Sequence, residues 1–216
     1  MRPSAIANAG FGTLIRRAEQ TPGSWGGGTT LAIYAEPPDS IGSAGTARVW
    51  IGTATIERSA DFSFFPGQMR VHIPIQGHGL RLHFQAPAET VALTSFAQHR
   101  FEGARPVHAE LVDGPIAAFN LIAQQDVEAT IQVLELEQEL VRVGRAAEQT
   151  PPIDPADLRL VYAIAGSLEL AIGDQRAATL LAGDAFVWRS HAIAETIALR
   201  RLEAPTQIVS AALRFK

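Results

Sequence analysis

The densest group of chemically useful side chains is Asp61-Phe62-Ser63-Phe64-Phe65-Pro66-Gly67-Gln68-Met69-Arg70. Three aromatic rings, a Pro-Gly turn and an arginine fall within nine residues. Proline fixes the entry to such a turn and glycine frees its exit. The turn can therefore present Ser63 and Arg70 at the rim of an aromatic-lined pocket, where a guanidinium holds a carboxylate through two parallel hydrogen bonds. A plain turn with buried phenylalanines and a solvated arginine fits the same residues, and local sequence leaves both readings open. The second candidate is Ser24-Trp25-Gly26-Gly27-Gly28-Thr29-Thr30. Three glycines let backbone approach a ligand closely and can turn N–H groups toward an anion. The stretch lacks the Gly-x-x-x-x-Gly-Lys of a phosphate loop, and a flexible hairpin loop is the alternative.

Histidine is the obvious source of acid–base or metal chemistry, and there are six: His72, His78, His83, His99, His108 and His191. No two are two residues apart, so the H-x-H pair that points two imidazoles from one strand face is missing. His72 and His78 share parity, but Pro74 and Gly77 are expected to break the strand between them. No metal is expected. Glu135, Glu137 and Glu139 would share one face of an extended strand, which reads first as a solvated edge and second as a divalent-cation site. Asp113-Gly114-Pro115 reads as a turn. No Gly-x-Ser-x-Gly elbow occurs, and nothing ties His108 and Asp113 to a nucleophile.

Composition removes further classes. The chain has 216 residues, no Cys and formal charge -4. Of its 18 basic residues only Lys216 is a lysine. There is thus no thiolate nucleophile, no disulfide framework, no Cys-ligated zinc and no interior lysine for a Schiff base. Singly scattered arginines on a mildly acidic chain argue against a nucleic-acid surface, which needs a basic stripe. No apolar run reaches the roughly 18 residues of a membrane-spanning helix. The first residues make a poor signal peptide, and a cytoplasmic location is expected.

The elements that must position these groups read as strands. Short alternating or β-branched runs recur about every ten positions between Gly, Pro, Asp and Asn. They include Thr29–Tyr34, Arg48–Ile56, Gly79–Phe84, Val107–Val112, Pro115–Ile122, Thr130–Leu136, Leu158–Ile164 and Ala185–Trp188. Residues 134–149 also read better as strand than helix. The chain is expected to be all-β. Three prolines between 144 and 157 mark a linker. The segments beside it are alike: Gly79-Leu80-Arg81-Leu82 aligns with Ser167-Leu168-Glu169-Leu170, and the same offset carries Leu93 to Leu181 and Leu111 to Leu199. Ile75-Gln76-Gly77 loosely matches Ile164-Ala165-Gly166. Two copies of one small β-barrel follow from this internal duplication, spanning 1–143 and 158–216, with the second open to completion by N-terminal strands.

The order of several blocks resembles the HutD/Ves family. They are Trp25-Gly-Gly-Gly-Thr29, Trp50, Phe62-Ser-Phe-Phe-Pro-Gly-Gln-Met-Arg70, Gly77-His-Gly-Leu80, Phe101-Glu-Gly103, Leu111-Val-Asp-Gly-Pro115 and Phe119-Asn120. The F-S-x-F-P-G-x-x-R block is the most specific, and the set covers about residues 14–125. Gly166-Ser-Leu-Glu-Leu170 and Gly183-Asp184 extend it more weakly. The resemblance implies a bicupin of jelly-roll barrels, associated with histidine utilisation, that lacks the usual cupin metal ligands. It also implies a regulatory role through binding a small carboxylate such as urocanate or formylglutamate. Its pocket residues carry over as Trp25, Gly27, Gly28, Thr29, Ser63, Phe65, Arg70 and Asn120. Departures occur at three places: no Asn precedes the glycines, Trp50-Ile51-Gly52-Thr53 stands for a W-R-x-S strand, and Ala118-Phe119-Asn120 followed by Gln124-Gln125 stands for D-F-N with paired arginines.

The leading expectation is a non-catalytic binding protein without cofactor, with Arg70 on a carboxylate and Trp25 and Phe65 as the apolar wall. Its partner is a small-molecule carboxylate rather than nucleic acid or membrane, and a homodimer is open. The alternatives are a metal-independent isomerase or lyase using His83 or His108 as general base, and an interaction protein with a degenerate pocket.

Overall fold

The computed structural model describes residues 8–9, 12–85, 87–137, 140–143, 156–173, 175–189 and 197–216. The strand-like composition is realised across the described residues. In chain order the strands are β1 (Asn8–Ala9), β2 (Gly12–Ile15), β3 (Thr21–Trp25), β4 (Gly28–Glu36), β5 (Val49–Ile56), β6 (Ala60–Asp61), β7 (Gln68–Gln76), β8 (Leu80–Gln85) and β9 (Ala88–Leu93). They continue as β10 (His99–Glu102), β11 (Val107–Leu111), β12 (Ile116–Gln124), β13 (Val127–Glu135), β14 (Leu140–Val143), β15 (Leu158–Ile172), β16 (Gln175–Leu181), β17 (Ala185–Arg189) and β18 (Ile197–Phe215). The only helical pieces among the described residues are single 3-10 turns at Arg17–Glu19, Pro38–Ser40 and Ala44–Thr46. No described helix is long and apolar enough to cross a membrane.

Contacts divide the chain into Gln20–Val127 and a second unit made of the first nineteen residues with Glu128–Lys216. In the first unit a six-stranded sheet, β10-β7-β12-β5-β4-β3, is accompanied by a four-stranded one, β6-β11-β8-β9. Strand periodicity explains the core: Leu80, Leu82 and Phe84 point inward on β8 while Arg81 and His83 alternate outward. They meet Ile56, Phe62, Phe101, Val107 and Ile116 from the other strands. Fully burying each such side chain is worth about 1.5–3 kcal/mol.

The second unit is one sheet in the order β1-β2-β17-β15-β18-β13, with β14 on β18 and β16 on β15. Its grouping differs from the spans 1–143 and 158–216 expected from the sequence. β2 pairs with β17, the completion by N-terminal strands that the sequence left open, while β13, inside the expected first span, lies beside β18. Of the expected linker, only Ala156 and Asp157 lie within the described residues, and the Asp157 carboxylate accepts the Phe215 N–H at 2.7 Å.

The duplication is visible in the pairing itself. In the first unit β7 pairs with β12 and β10, and β8 pairs with β11 and β9. In the second, the two halves of β15 repeat those roles against the two halves of β18, with β17 and β16 as flanks. The break at Gly77-His78-Gly79, where both glycines have positive φ, becomes a bulged continuation through Gly166 at φ +72°. The expected gap after Ile164 is therefore absent, and β15 runs unbroken. Leu80 pairs with Leu93 and Leu111, while Leu168 pairs with Leu180 and Arg201, so the offset of 88 drifts by one or two outside the L-x-L strands.

Two further expectations are corrected. Pro74 does not interrupt β7, because the register against β12 shifts beside it, between Ala117 and Ala118, and absorbs the missing donor. The glutamate row is not continuous: β13 ends at Glu135, the Leu136 N–H turns to the Thr206 carbonyl at 2.9 Å, and Glu139 lies outside the described residues.

Candidate functional site

The first unit's interior carries a polar group that its apolar surroundings make conspicuous. On β7, Arg70 and His72 are two residues apart and share the inward face. Register places His72 opposite Asn120 of β12, and Arg70 opposite Phe101 of β10. The Asn120 Oδ1 accepts from Arg70 Nε at 3.1 Å and Nη2 at 2.8 Å, and lies 2.8 Å from His72 Nδ1. A guanidinium can only donate, so the amide oxygen must face it. His72 must then donate from Nδ1, leaving Nε2 as the unprotonated nitrogen, and that atom is buried with no partner. Burial, reinforced by the Arg70 charge, pushes His72 down to about 3, so the imidazole is neutral near pH 7.

Arg70 is 7% exposed and burial lowers it from its ordinary value to about 9, so it stays charged at neutral pH. Its Cζ lies 4.0 Å from the Phe62 ring centroid, a cation–π contact that partly replaces lost hydration. Phe62 in turn takes the edge of Trp25 at 5.4 Å and tilts against His72 at 5.2 Å. Among the described residues no carboxylate pairs with Arg70. A buried cation held by an amide oxygen and a ring is under-compensated.

That cation opens on a cavity of about 450 Å³. Trp25, Trp50 and Phe65 supply aromatic surface, Ser63 a hydroxyl, and Arg70 and Asn120 the polar end. The segment Ile41–Gly45 borders it and is tied down from beneath. Trp50 Nε1 donates to the Ile41 carbonyl at 3.0 Å, and Gln68 Nε2 donates to the Ala44 and Ala47 carbonyls at 2.9 and 2.7 Å.

Of the eight residues singled out from the sequence, Trp25, Ser63, Phe65, Arg70 and Asn120 line this cavity, and Gly27, Gly28 and Thr29 do not. The glycines serve close approach instead. A Cβ at Gly28 would stand 2.0 Å from the Thr55 carbonyl oxygen across the β4–β5 pair, and one at Gly27 would stand 2.4 Å from the Trp25 ring. None of Gly26, Gly27 and Gly28 has positive φ, so the anion-binding backbone nest is not formed. Thr29 is exposed. Gly27 thus makes room for the Trp25 ring, and Gly28 lets β4 approach β5 closely.

His83 and His108 lie elsewhere. His83 Nε2 is 2.7 Å from Glu110 and His108 Nδ1 is 2.7 Å from Asp61, both on the four-stranded sheet and away from the cavity lining. Neither can act as general base on a ligand held at Arg70. Among the described residues no group of three His, Asp or Glu side chains is placed to hold a metal. Trp50 also lines the cavity, and His72, Phe62 and Gln68 support it from beneath; none of the four is among the eight, although Phe62 and Gln68 lie within the first block named and Trp50 among the family blocks. The usable signal was parity, since His72 stands two positions after Arg70.

Several known proteins resemble this chain in sequence or in fold. The model of the HutD family matches residues 17–205. An uncharacterized 21.2 kDa protein from the region 3' of hutC in Pseudomonas putida is 32% identical over 123 residues, 55% of this chain. The match spans 62% of the length of that curated relative. A conserved protein of unknown function from Pseudomonas aeruginosa superposes with TM-score 0.81 at 23% identity, covering 93% of this chain and 97% of the other. HutD from Pseudomonas fluorescens superposes with TM-score 0.71 at 23% identity, covering 94% and 98%. The cupin fold itself extends further, to tomato vicilin at TM-score 0.65 and 9% identity, covering 94% and 85%. The chain belongs to the HutD family, which is linked to histidine utilisation.

Proposed function

We propose that this protein is a non-catalytic receptor for a small carboxylate of histidine utilisation, such as urocanate or formylglutamate, acting as a cytoplasmic regulator. The observation that carries the reading is Arg70: a buried guanidinium, without a carboxylate partner among the described residues, at the polar end of a 450 Å³ aromatic cavity. A carboxylate entering there supplies the missing counter-charge through charge-assisted hydrogen bonds. Trp25, Trp50 and Phe65 cover the planar or apolar remainder of the ligand, and Ser63 offers a neutral hydrogen bond at the rim. Asn120 orients the guanidinium; its oxygen already accepts three hydrogen bonds and has little left for a ligand. Among the described residues no histidine, aspartate or glutamate lines the cavity to activate the Ser63 hydroxyl, which fits binding rather than turnover.

The test is a thermal-shift panel of histidine-pathway acids on the full chain. Ligand binding to the native state alone raises the melting temperature, and Arg70→Ala is expected to abolish the shift. No shift with any acid of the panel removes the reading.

A further inference from the structure

We infer that the free edge of β3 docks the C-terminal segment of a protein partner, which adds to the six-stranded sheet as a further strand and brings its terminal carboxylate to Arg70; this rests on the carboxylate reading of Arg70. The first support is the course of the cavity. Thr21, Pro22, Gly23, Ser24 and Trp25 all line it. Side chains alternate between the faces of a strand, so five successive lining residues mean that the cavity follows the edge of β3 rather than one face. β3 is the terminal strand of its sheet, and Pro22, Gly23 and Ser24 are exposed.

The second support is what that edge presents. The Gly27 carbonyl accepts the Glu57 and Arg58 N–H groups at 2.9 and 3.3 Å, so Gly27 turns its backbone toward β5. Backbone groups alternate sides along an antiparallel strand. Gly28, Thr30 and Ala32 therefore bond to Trp25, Gly23 and Thr21, and the intervening Ser24 and Pro22 turn their groups outward. Pro22 agrees with this phase, because a proline fits an edge strand where its missing N–H would face away from the sheet. Ser24 has no other backbone partner among the described residues. The edge thus offers an N–H and a carbonyl at Ser24, and a second carbonyl at Pro22 roughly 7 Å along. That spacing is the repeat of a peptide backbone; a ligand with a single amide engages only the Ser24 pair. A strand laid here makes the hydrogen bonds of a ladder. Arg70 lines the same cavity and matches the charge at the end of a chain rather than its middle. Trp25 and Phe65 give the peptide's side chains an aromatic wall.

The experiment incubates the full-length chain at pH 7.5 with a pool of acetylated tetrapeptides that end in a free carboxylate, and measures the best-retained member by calorimetry. Pool members are expected to be retained. Binding of the best member is expected to weaken at least about tenfold on C-terminal amidation, and by as much when one of its amides is N-methylated. Ser24→Pro removes the outward N–H and leaves the β3–β4 ladder whole, so the variant is expected to keep the wild-type urea midpoint while binding the peptide at least about tenfold more weakly. If that variant does not fold, the peptides N-methylated at each amide in turn decide. Binding indifferent to Ser24→Pro and to every N-methylation overturns the docking edge, and binding indifferent to amidation overturns the contact with Arg70. No peptide retained, while urocanate still raises the melting temperature, overturns the edge and leaves the carboxylate reading intact. Loss of both responses overturns both.

Discussion

The two units repeat one pairing scheme and treat buried charge in opposite ways. In the second, Asp184 is 4% exposed and fully engaged: its carboxylate meets Arg16 Nη1 at 2.6 Å and accepts the N–H groups of Arg17 at 3.0 Å and Leu181 at 3.1 Å. Charge there is structural, closing the turn before β17 onto the residues after β2. In the first, Arg70 is as deeply placed but has only an amide oxygen and aromatic faces. The register equivalent of Arg70 is itself a buried arginine, Arg159, so the contrast between the frames lies in the residues around it. His72 opposite Asn120 and His99 corresponds to Val161 opposite Ser210 and Phe186. Val161, Phe186 and Trp188 belong to the second unit's apolar core, where the first unit has a polar cluster beside a cavity. Duplication supplied two frames that both keep a buried arginine, Arg70 and Arg159, but only the first places a histidine and an asparagine beside it, where the second has Val161 and Ser210. Retaining a charge as under-compensated as Arg70 costs stability, which points to use by a ligand.

The contrast can be broken first at its structural end. Asp184→Ala leaves two backbone N–H groups without their acceptor and frees Arg16, which is half exposed and can return to water. The expected loss is about 2–3 kcal/mol, read as a lower urea midpoint, with binding of acids by the first unit retained. A smaller effect separates His72 from its valine counterpart. Its folded value near 3 lies below the ordinary 6.5, so between those values the unfolded chain binds more protons than the folded one. Stability from this group is present above pH 6.5 and is lost as pH falls toward 3. Relative to His72→Gln, the wild type is expected to lose about 2 kcal/mol more between pH 6 and pH 4. Urea unfolding of both chains at the two pH values reads the difference, and parallel losses would show that His72 is not buried neutral.

Much of the fold was legible because strand periodicity is local. The alternation in Leu80-Arg81-Leu82-His83-Phe84 fixes which face is inside without any knowledge of partners. The same holds for the Phe62–Arg70 block, whose turn carries Ser63, Phe65 and Arg70 to one cavity. Register was not legible. That Asn120 meets both Arg70 and His72 depends on pairing 48 and 50 residues apart, which no local pattern encodes. For the same reason β2 could not be matched to β17, more than 170 residues on. Glycine misled: Gly27 and Gly28 read as a ligand cradle, but they serve ring packing and strand approach. Conformational freedom and small size are different uses of the same residue.

The central claim is that Arg70 is a binding charge rather than a structural one, and Arg70→Met tests it most directly. Unfolding by urea, with and without saturating urocanate, is measured on wild type and variant. The account predicts that the variant's ligand-free midpoint is unchanged or higher, because an under-compensated buried charge is removed, and that its urocanate-induced shift is gone. A midpoint that falls as far as that of Asp184→Ala, with the urocanate shift preserved, would contradict it.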